Sequence, residues 1–124
     1  AVADFKIKNK KIEKIKKDNI SELLIEKNTD ILKHISNHNS LRPKLVVGFA
    51  AETNSIKNNS LKKLSEKNCD WIIANDVSKN DIGFESDFNK VSIFYKNSSE
   101  ENLPKMKKSS VANEIVNRII SQLN

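Results

Sequence analysis

Two apolar runs that each end abruptly in polar residues constrain the fold of this chain most. The first lies in KLVVGFAAET at residues 44–53, and the second lies in CDWIIANDV at residues 69–77. Their apolar centres, LVV at 45–47 and WII at 71–73, are short and continuous. Such runs are typical of strands in a parallel sheet that helices cover on both faces. The pattern therefore predicts two buried strands.

A helix is predicted between these two strands. It begins at Thr53 or Asn54 and continues to about Lys67. Its inward positions are Ile56, Leu61 and Leu64. Strand, helix and strand within ~30 residues form a βαβ unit, whose crossover is expected to be right-handed.

The C-terminal part of the chain adds to this unit. VSIFY at 91–95 predicts a third strand, and Leu103–Pro104 predicts a short return. A helix follows from about Ser109, and its apolar positions recur at helical spacing: Val111, Ile115, Val116 and Ile119. The fold class is therefore α/β, with a mainly parallel sheet flanked by helices.

The N-terminal part has a different pattern. AVADF at 1–5 is typical of the end of a buried strand, and a lysine-rich stretch at about 6–27 predicts a protruding, two-stranded β arm that turns at Asp18–Asn19. After the arm, Asn28 or Thr29 is placed to cap a short helix in DILKHISNH. In that helix Ile31, Leu32 and Ile35 share one face. We expect residues 1–124 to form a single domain.

Composition excludes several classes of protein. The hydrophobic fraction is 37% and the charged fraction 31%, and no apolar run approaches the ~20 residues of a membrane span. The N-terminus lacks the apolar segment of a signal peptide. The single cysteine, Cys69, cannot form an internal disulfide and is interpreted as a small core residue. We therefore expect a cytoplasmic protein with no membrane partner.

The basic charge comes almost entirely from lysine. The net charge is +6, and Arg42 and Arg118 are the only arginines among 22 basic residues. Proteins that read nucleic-acid sequence favour arginine and interleave aromatic residues, whereas lysine binds phosphate as a point charge. We expect no nucleic-acid partner. Two alternatives stay open: a non-catalytic basic module that binds a nucleotide or nucleic acid, and a structural or dimerisation fragment.

Ligands of open α/β sheets bind beyond the carboxyl ends of the parallel strands. That rule selects three segments, namely Asp4–Phe5, Phe49–Thr53 and Asn75–Val77. The only glycines, Gly48 and Gly83, form no phosphate-binding loop. The phosphates of a nucleotide would instead be held by lysines, by helix N-termini or by a partner segment that is not in this sequence. The candidate lysines are Lys14, Lys16 and Lys17 in the arm and Lys63 and Lys67 in the helix between the strands.

No metal site is predicted. His34 and His38 have the spacing of zinc ligands, but neither HExxH nor a nearby cysteine completes a site. DIGFESD at 81–87 lacks the ligand order of a calcium loop. Trp71 and Phe94 are interpreted as core residues.

A series of motifs resembles one family. In order, they are AVADF, KIKK, NTDIL, VVGFAAET, ANDV, GFESDFNKV and LPKMKKSSVANEIV. This order is similar to that in the C-terminal part of bacterial phosphopantothenate-cysteine ligases, and the match covers nearly the whole chain. The resemblance implies the C-terminal half of a Rossmann-like, three-layer fold. It also implies a homodimer in which strands of the arm region pair across the two-fold axis.

The activity implied by the resemblance is a ligation in coenzyme A biosynthesis. The carboxylate of 4′-phosphopantothenate attacks the α-phosphate of CTP, and cysteine then displaces CMP from the acyl-cytidylate. Mg²⁺ accompanies CTP, because triphosphate and carboxylate repel each other. A flavin belongs only to a decarboxylase to which this domain is often fused. The small-molecule partners are thus CTP, 4′-phosphopantothenate and cysteine.

The family's CTP contacts carry over to matching positions of this sequence. They are Asp4, Lys14, Thr29, Asp30, Ile31, Leu32, Phe49, Lys63 and Lys67. Lys14, at the head of KIKK, is the implied catalytic residue, Phe49 the implied base contact, and Lys63 and Lys67 the implied triphosphate contacts. Thr29 departs from the proline that is usual in the family. The family's glycine-rich N-terminal half has no counterpart in this sequence, so we expect the chain alone to be inactive.

Overall fold

The computed structural model describes residues 3–8, 24–78 and 86–124. The chain divides into two compact units, Ala1–Ile31 and Leu32–Asn124, and each is described by itself. The expectation of a single domain with a dimerisation arm stays a prediction.

The first unit contains a two-stranded antiparallel ribbon. Strand β1, Phe5–Ile7, pairs with β2, Ile25–Lys27, so that Phe5 lies opposite Lys27. The ribbon agrees with the two-stranded arm that the sequence predicted, whereas the turn at 18–19 lies outside the described residues. The interpretation of AVADF as a buried strand end is wrong at Phe5, which is 51% exposed. The physical reason is that an isolated two-stranded ribbon buries little of its own surface.

The second unit is built on a four-stranded sheet with the order β3-β4-β6-β7. Its strands are β3 (Val47–Glu52), β4 (Trp71–Asp76), β6 (Val91–Tyr95) and β7 (Glu100–Asn102). A second small ribbon pairs β5 (Phe88–Asn89) with β8 (Met106–Lys107). The helices of the chain are α1 (Ile31–Ser36), α2 (Ile56–Lys67) and α3 (Lys108–Leu123).

The α/β class is confirmed, but the described sheet is mixed rather than mainly parallel. Strands β3 and β4 are parallel and are joined through α2, as the βαβ pattern predicted. The β4–β6 and β6–β7 pairs are antiparallel. For β6 and β7 the reason is length, because residues 96–99 are too few for the crossover that a parallel pair requires.

Two apolar clusters lie on opposite faces of this sheet. On one face, Trp71, Ile73 and Ile93 pack with Val111 and Ile115 of α3. On the other face, Ala50 and Ile72 pack with Leu64 of α2 and with Cys69. The sheet is therefore the middle layer between helices, in agreement with the Rossmann-like, three-layer expectation.

β3 lies later in the chain than its predicted apolar centre at 45–47, of which it includes only Val47, whereas β4 contains its predicted centre at 71–73 and extends beyond it. β3 begins at Val47 and includes Ala51 and Glu52, and β4 continues through Asn75 to Asp76. The polar strand ends are therefore held in the sheet and not in loops. Trp71, Phe94 and Cys69 are buried, as predicted. Among the described residues, no helix is sufficiently long and apolar to cross a membrane.

Candidate functional site

The carboxyl ends of β3 and β4 lie side by side, because the two strands are parallel and in register. Glu52 is the register partner of Asp76, and Ala51 is the partner of Asn75. Side chains alternate between the faces of a strand, so successive residues at this edge point toward α3 and α2 in turn. The edge therefore presents two different chemical surfaces, one on each face.

A cavity of about 330 Å³ opens on the α3 face of this edge. Its polar and aromatic lining consists of Phe49, Asn75, Asn89 and Lys108. Its apolar lining consists of Val91, Val111, Ala112, Ile115 and Val116. An apolar cavity with a few polar groups at one end is the usual form of a small-molecule site.

Phe49 is the most informative residue of the cavity. It follows Gly48 in β3, and its ring is on the α3 face because its register partner is Ile73 of the α3-side core. Its residue surface is 66% exposed. Phe49 is therefore a surface residue and not a core residue. An exposed aromatic ring at a cavity mouth is available to a planar ligand.

Two amides lie behind the ring. Asn89 Nδ2 donates a hydrogen bond to Asn75 Oδ1 at 3.1 Å, and Asn89 Oδ1 accepts from the backbone N–H of Lys90 at 2.9 Å. Asn89 is 9% exposed, so this pair is fixed by burial as well as by hydrogen bonds. The hydrogen bond from Asn89 thereby fixes the side-chain amide of Asn75 in the lining of the cavity.

Lys108 lies at the first position of α3. The residue before it, Lys107, provides no side-chain cap for the helix. First-turn N–H groups and the helix dipole favour anions, and the lysine charge has the same sign. This end of the cavity is therefore electropositive.

An ion pair occupies the α2 face of the same edge. Glu52 is 8% exposed and accepts hydrogen bonds from Lys63 Nζ at 2.6 Å and from Asn59 Nδ2 at 3.0 Å. The hydrogen bond from Lys63 is the main cause that lowers the pKa of Glu52 below its ordinary value. Glu52 thus fixes a partly exposed ammonium group at the strand end.

The structure separates two residues that the sequence analysis had assigned to one nucleotide. Phe49 lies on the α3 face of β3, whereas Glu52 holds Lys63 on the α2 face. A ligand that contacts both side chains has to pass over the end of the strand. The backbone of β3 would then lie beneath the middle of that ligand.

Lys67 lies one helical turn beyond Lys63, in the last turn of α2. Because α2 runs back toward the start of β4, Lys67 is displaced from the carboxyl edge by ~6 Å along the helix. Its backbone carbonyl accepts a hydrogen bond from Ser36 Oγ. The structure therefore brings Lys63 closer to the edge than Lys67.

Leu32 packs in the core on the α2 face. A Cβ atom added to Gly48 would lie 2.7 Å from Leu32 Cδ2 and 2.7 Å from Ile72 Cδ1. A side chain at Gly48 would thus displace the ends of these two side chains, and Leu32 packs against the α2-side core.

The remaining predicted contacts belong to the first unit or lie outside the description. In the first unit, the carbonyl of Asp4 accepts a hydrogen bond from the N–H of Asn28 at 2.8 Å, next to Thr29. Asp30 is half-buried, and Thr29 and Ile31 are exposed. Asp4 is therefore brought near the start of the segment Thr29–Ile31. Lys14, Lys16, Lys17 and Gly83 lie outside the described residues.

The sequence analysis missed three polar residues around this edge: Asn59, Asn89 and Lys108. Asn89 lies in GFESDFNKV and Lys108 in LPKMKKSSVANEIV, which were quoted as family motifs but were given no role. Asn59 had no signal beyond its place on the polar side of α2. Their proximity depends on strand pairing, which residue spacing does not reveal.

Comparisons with known proteins agree with this geometry. A family model described as DNA/pantothenate metabolism flavoprotein C-terminal domain matches residues 1–123. A protein named coenzyme A biosynthesis bifunctional protein CoaBC, from Bacillus subtilis, is 42% identical over 96% of this chain and 29% of its own length. Its namesake from Borreliella burgdorferi is 46% identical over 94% of this chain and 29% of its own length. This chain thus spans less than a third of these relatives.

Two solved structures are also similar. One is described as the C-terminal domain of coenzyme A biosynthesis bifunctional protein CoaBC. It matches with a TM-score of 0.73 and 32% identity, over 99% of this chain and 51% of that chain. The other is the DNA/pantothenate metabolism flavoprotein from Streptococcus pneumoniae, with a TM-score of 0.62 and 20% identity over 86% of this chain and 46% of that chain. The second likeness supports the fold alone.

Proposed function

Because this chain belongs to the family of the DNA/pantothenate metabolism flavoprotein C-terminal domain, we propose that it supplies part of the CTP site of a phosphopantothenate-cysteine ligase. In the proposed reaction, the carboxylate of 4′-phosphopantothenate attacks the α-phosphate of CTP and pyrophosphate leaves. The amine of cysteine then attacks the acyl carbon, loses a proton and displaces CMP. The names of the relatives, which contain the words coenzyme A biosynthesis, support this assignment.

The exposed ring of Phe49 is the observation that carries the proposal. An aromatic side chain within β3 that is 66% exposed lacks hydrophobic stabilisation unless a ligand or a partner covers it. Phe49 lies beside the Asn75–Asn89 amide pair, and cytosine combines a planar ring with amide-like donors and acceptors. We therefore place the base of CTP against Phe49, through its ring or its backbone.

Cations at the same edge suit the triphosphate. Lys63 is held at the strand end by Glu52, and its side chain, which is 42% exposed, carries an ammonium group with three N–H donors. Lys67 would extend the positive surface along α2, and Lys14 is the proposed catalytic residue that closes over the reacting phosphate. Asp4, Thr29, Asp30, Ile31 and Leu32 complete the proposed CTP contacts.

Mg²⁺ enters this reaction with its substrate, as MgCTP. Among the described residues, no group of three or more His, Cys, Asp or Glu side chains could hold a metal ion. Phosphate oxygens are ligands that Mg²⁺ prefers, so the proposed role of this chain is to bind the complex rather than the ion. A flavin is proposed only for a fused decarboxylase domain.

We further propose that this chain is half of an active site. It covers 51% of the solved C-terminal domain to which it is similar. The chain alone is therefore expected to bind nucleotide without turnover. Homodimerisation through the arm and a cytoplasmic location belong to the same proposal.

Calorimetric titration of the 124-residue chain with MgCTP tests the nucleotide site. Phe49→Ala and Lys63→Gln are each expected to weaken binding by about tenfold, the equivalent of ~1.4 kcal/mol. Lys62→Gln is the matched control, because Lys62 neighbours Lys63 but pairs with the exposed Glu66, at 3.8 Å, and has a 73% exposed side chain. A parallel titration with MgATP measures whether the site prefers cytosine to adenine.

Three results would contradict the proposal. The first is an equal loss of binding in Lys62→Gln and Lys63→Gln. The second is steeply salt-dependent binding of DNA or RNA with no preference for CTP, which indicates a basic nucleic-acid module. The third is CTP-dependent pyrophosphate release by this chain alone, which would show that the site is complete.

A further inference from the structure

Two asparagine side chains in the lining of the cavity have their orientation set by a backbone group. The backbone N–H of Lys90 can only donate, and Asn89 Oδ1 accepts its hydrogen bond at 2.9 Å. Because the oxygen of Asn89 is directed toward Lys90, its Nδ2 group faces Asn75 and donates to Asn75 Oδ1 at 3.1 Å. The carboxamide of Asn75 therefore has its oxygen toward Asn89 and its Nδ2 group on the other side.

This orientation of the two amides is costly to reverse. A flip of the Asn75 amide alone would bring two N–H groups together, and a flip of the Asn89 amide alone would bring two oxygens together. Asn89 is 9% exposed, so water does not readily replace a hydrogen bond that is lost there. Asn75 belongs to β4 and Asn89 to β5, so the backbone of each is also held by strand pairing.

The cavity therefore receives a hydrogen-bond donor from Asn75. Lys108, the remaining polar side chain of the lining, also carries donors and no acceptor. All other side chains of the lining are apolar or aromatic. The cavity thus favours a ligand whose facing edge carries acceptors.

Phe49 and Asn75 are close enough to contact one planar ring. The register partner of Phe49 is Ile73, which lies two residues before Asn75 on the same face of β4. The rise along a strand and the spacing between strands place the Cα atoms of Phe49 and Asn75 roughly 8 Å apart. A single pyrimidine ring can therefore stack on Phe49 and present one edge to Asn75.

Cytosine and uracil differ in the hydrogen-bonding group at that edge. N3 of cytosine carries no hydrogen and accepts, whereas N3 of uracil carries a hydrogen and donates. A donor that faces N3 therefore gains a hydrogen bond with cytosine, and with uracil it leaves two donors unpaired. Stacking on Phe49 would not separate the two bases, because both are planar rings of nearly the same size.

We propose that Asn75 determines base specificity by donating from Nδ2 to N3 of cytosine, and that Asn89 is a positioning residue that holds Asn75 in the donating orientation. This inference rests on the proposed function, because it takes the base of CTP to lie against Phe49. It adds the exclusion of uridine nucleotides to that function. The selectivity comes from the repulsive contact with uracil as well as from the attractive contact with cytosine.

Calorimetric titration of the full 124-residue chain with MgCTP and with MgUTP tests the role of Asn75. The wild type is expected to bind MgCTP at least about tenfold more tightly than MgUTP. Asn75→Asp replaces the donor by an acceptor oxygen and is expected to invert this preference, so that the ratio of the two Kd values changes by about a hundredfold. The added negative charge repels both triphosphates alike, so it does not affect the ratio.

Asn89→Asp tests the positioning role, because Asn89 acts only through Asn75. The new carboxylate would accept from the N–H of Lys90 and from the Nδ2 group of Asn75. The amide of Asn75 would then turn its oxygen toward the ligand, and the preference for MgCTP is expected to fall at least about tenfold. A merely structural role of Asn89 would weaken the binding of both nucleotides and leave the ratio of their Kd values unchanged.

Asn97→Asp is the matched control for both variants. It makes the same chemical change in the exposed turn after β6, where Asn97 Oδ1 accepts from the N–H and the hydroxyl of Ser99. An aspartate oxygen retains both bonds, so the ratio is expected to stay within about twofold of the wild-type value. Circular dichroism verifies that each variant is folded. Asn75→Asp keeps the test decisive if Asn89→Asp does not fold.

The inference is overturned by equal binding of MgCTP and MgUTP to the wild type, by a ratio that Asn75→Asp or folded Asn89→Asp leaves unchanged, or by an equal change of the ratio in Asn97→Asp. In each of these cases, MgCTP binding that Lys63→Gln weakens would leave the proposed function intact. Absence of binding of either nucleotide contradicts the proposed function and this inference together. The two failures are therefore distinguishable.

Discussion

The two outer strands of the sheet, β3 and β7, solve the problem of an exposed edge in opposite ways. β3 runs from Val47 to Glu52, carries no charge before its last residue and exposes an aromatic ring. β7 covers only Glu100–Asn102 and has an acidic, exposed sequence. A short charged strand resists pairing with another chain, whereas a long uncharged one favours it.

Ion pairs strengthen the contrast. On β7, Glu101 accepts from Arg118 Nε at 2.8 Å, and Glu100 pairs with Lys57 at 2.7 Å. On β3, the only charged side chain is Glu52, which is buried and points to α2. Among the described strands, we infer that β7 resists pairing with a further strand and that the outer edge of β3 permits it. The following predictions test that difference.

The largest effect on stability is expected in the centre of the sheet, between the two outer strands. Ile73 of β4 is 0% exposed and belongs to the α3-side core. Ile73→Ala should lower the free energy of unfolding by about 3–4 kcal/mol, from lost burial and the cavity left behind. Urea denaturation followed by circular dichroism measures this.

The control for Ile73→Ala is Ile120→Ala on α3, where the side chain is half-exposed. It should cost less than about 1 kcal/mol. Similar losses of stability in the two variants would mean that Ile120 is packed in the isolated chain, and the contrast between the edge and the centre of the sheet would fail.

The second prediction concerns the charged boundary at β7. Arg118 donates from Nε to Glu101 at 2.8 Å and from Nη1 to Glu114 at 2.7 Å, and its side chain is 26% exposed. These two carboxylates raise the pKa of the guanidinium above its ordinary value. Arg118→Ala should destabilise the chain by about 1–2 kcal/mol, because partly buried, charge-assisted bonds are lost.

Lys57→Ala is the matched control for the same strand, since Lys57 of α2 pairs with Glu100 of β7 through a side chain that is 64% exposed. Lys57→Ala should lower the free energy of unfolding by no more than about 0.5 kcal/mol. Equal effects would show that β7 is protected by charge in general and not by the Arg118 network.

Much of the fold was predictable from the sequence because its strong signals are local. The runs around Val47 and Trp71 and the helix between them depend on hydrophobic periodicity. The direction of β6 was not predictable in this way, since its apolar pattern is the same for either strand direction. The lack of charge on β3 could be seen in the sequence. That β3 is an outer strand could not, because strand order depends on long-range pairing.

The site was predictable only in part. The rule for strand ends selected Phe49 and Asn75, and the structure places both at one cavity. Alternation along β3 separates Lys63 from Phe49, and burial of Glu52 fixes that lysine. Neither fact has a sequence signal, because both require knowledge of which helix covers which face. Asn89 and Lys108 reach the cavity only through the β5–β8 pairing.

The third prediction uses pH to test the β7 boundary. Burial, followed by the hydrogen bond to Glu101, raises the pKa of Tyr95 to about 12 from 10.0. A raised pKa means that the folded state holds the proton more tightly, so this stabilisation is complete below pH 10.0 and is lost between pH 10.0 and about 12. The loss should be on the order of 1 kcal/mol, after reduction for the partial exposure of Tyr95.

Tyr95→Phe isolates this effect, because lysines also titrate in the same pH range. The difference in unfolding free energy between wild type and Tyr95→Phe should shrink as the pH rises from 9 to about 12. A constant difference across that range would mean that Tyr95 ionises as easily in the folded state as in the unfolded one.

The smallest effect is expected at the β3 edge itself, where it is also the most diagnostic. The outward N–H of Ala51 bonds to no described strand, so Ala51→Pro should change the stability of the isolated chain by about 0.5 kcal/mol or less. Ala50→Pro, the neighbouring control, removes a bond to β4 and should cost about 3 kcal/mol. Urea titration of both variants decides the matter. If Ala51→Pro is as damaging as Ala50→Pro, β3 already has a partner on its outer side and cannot be an open interface.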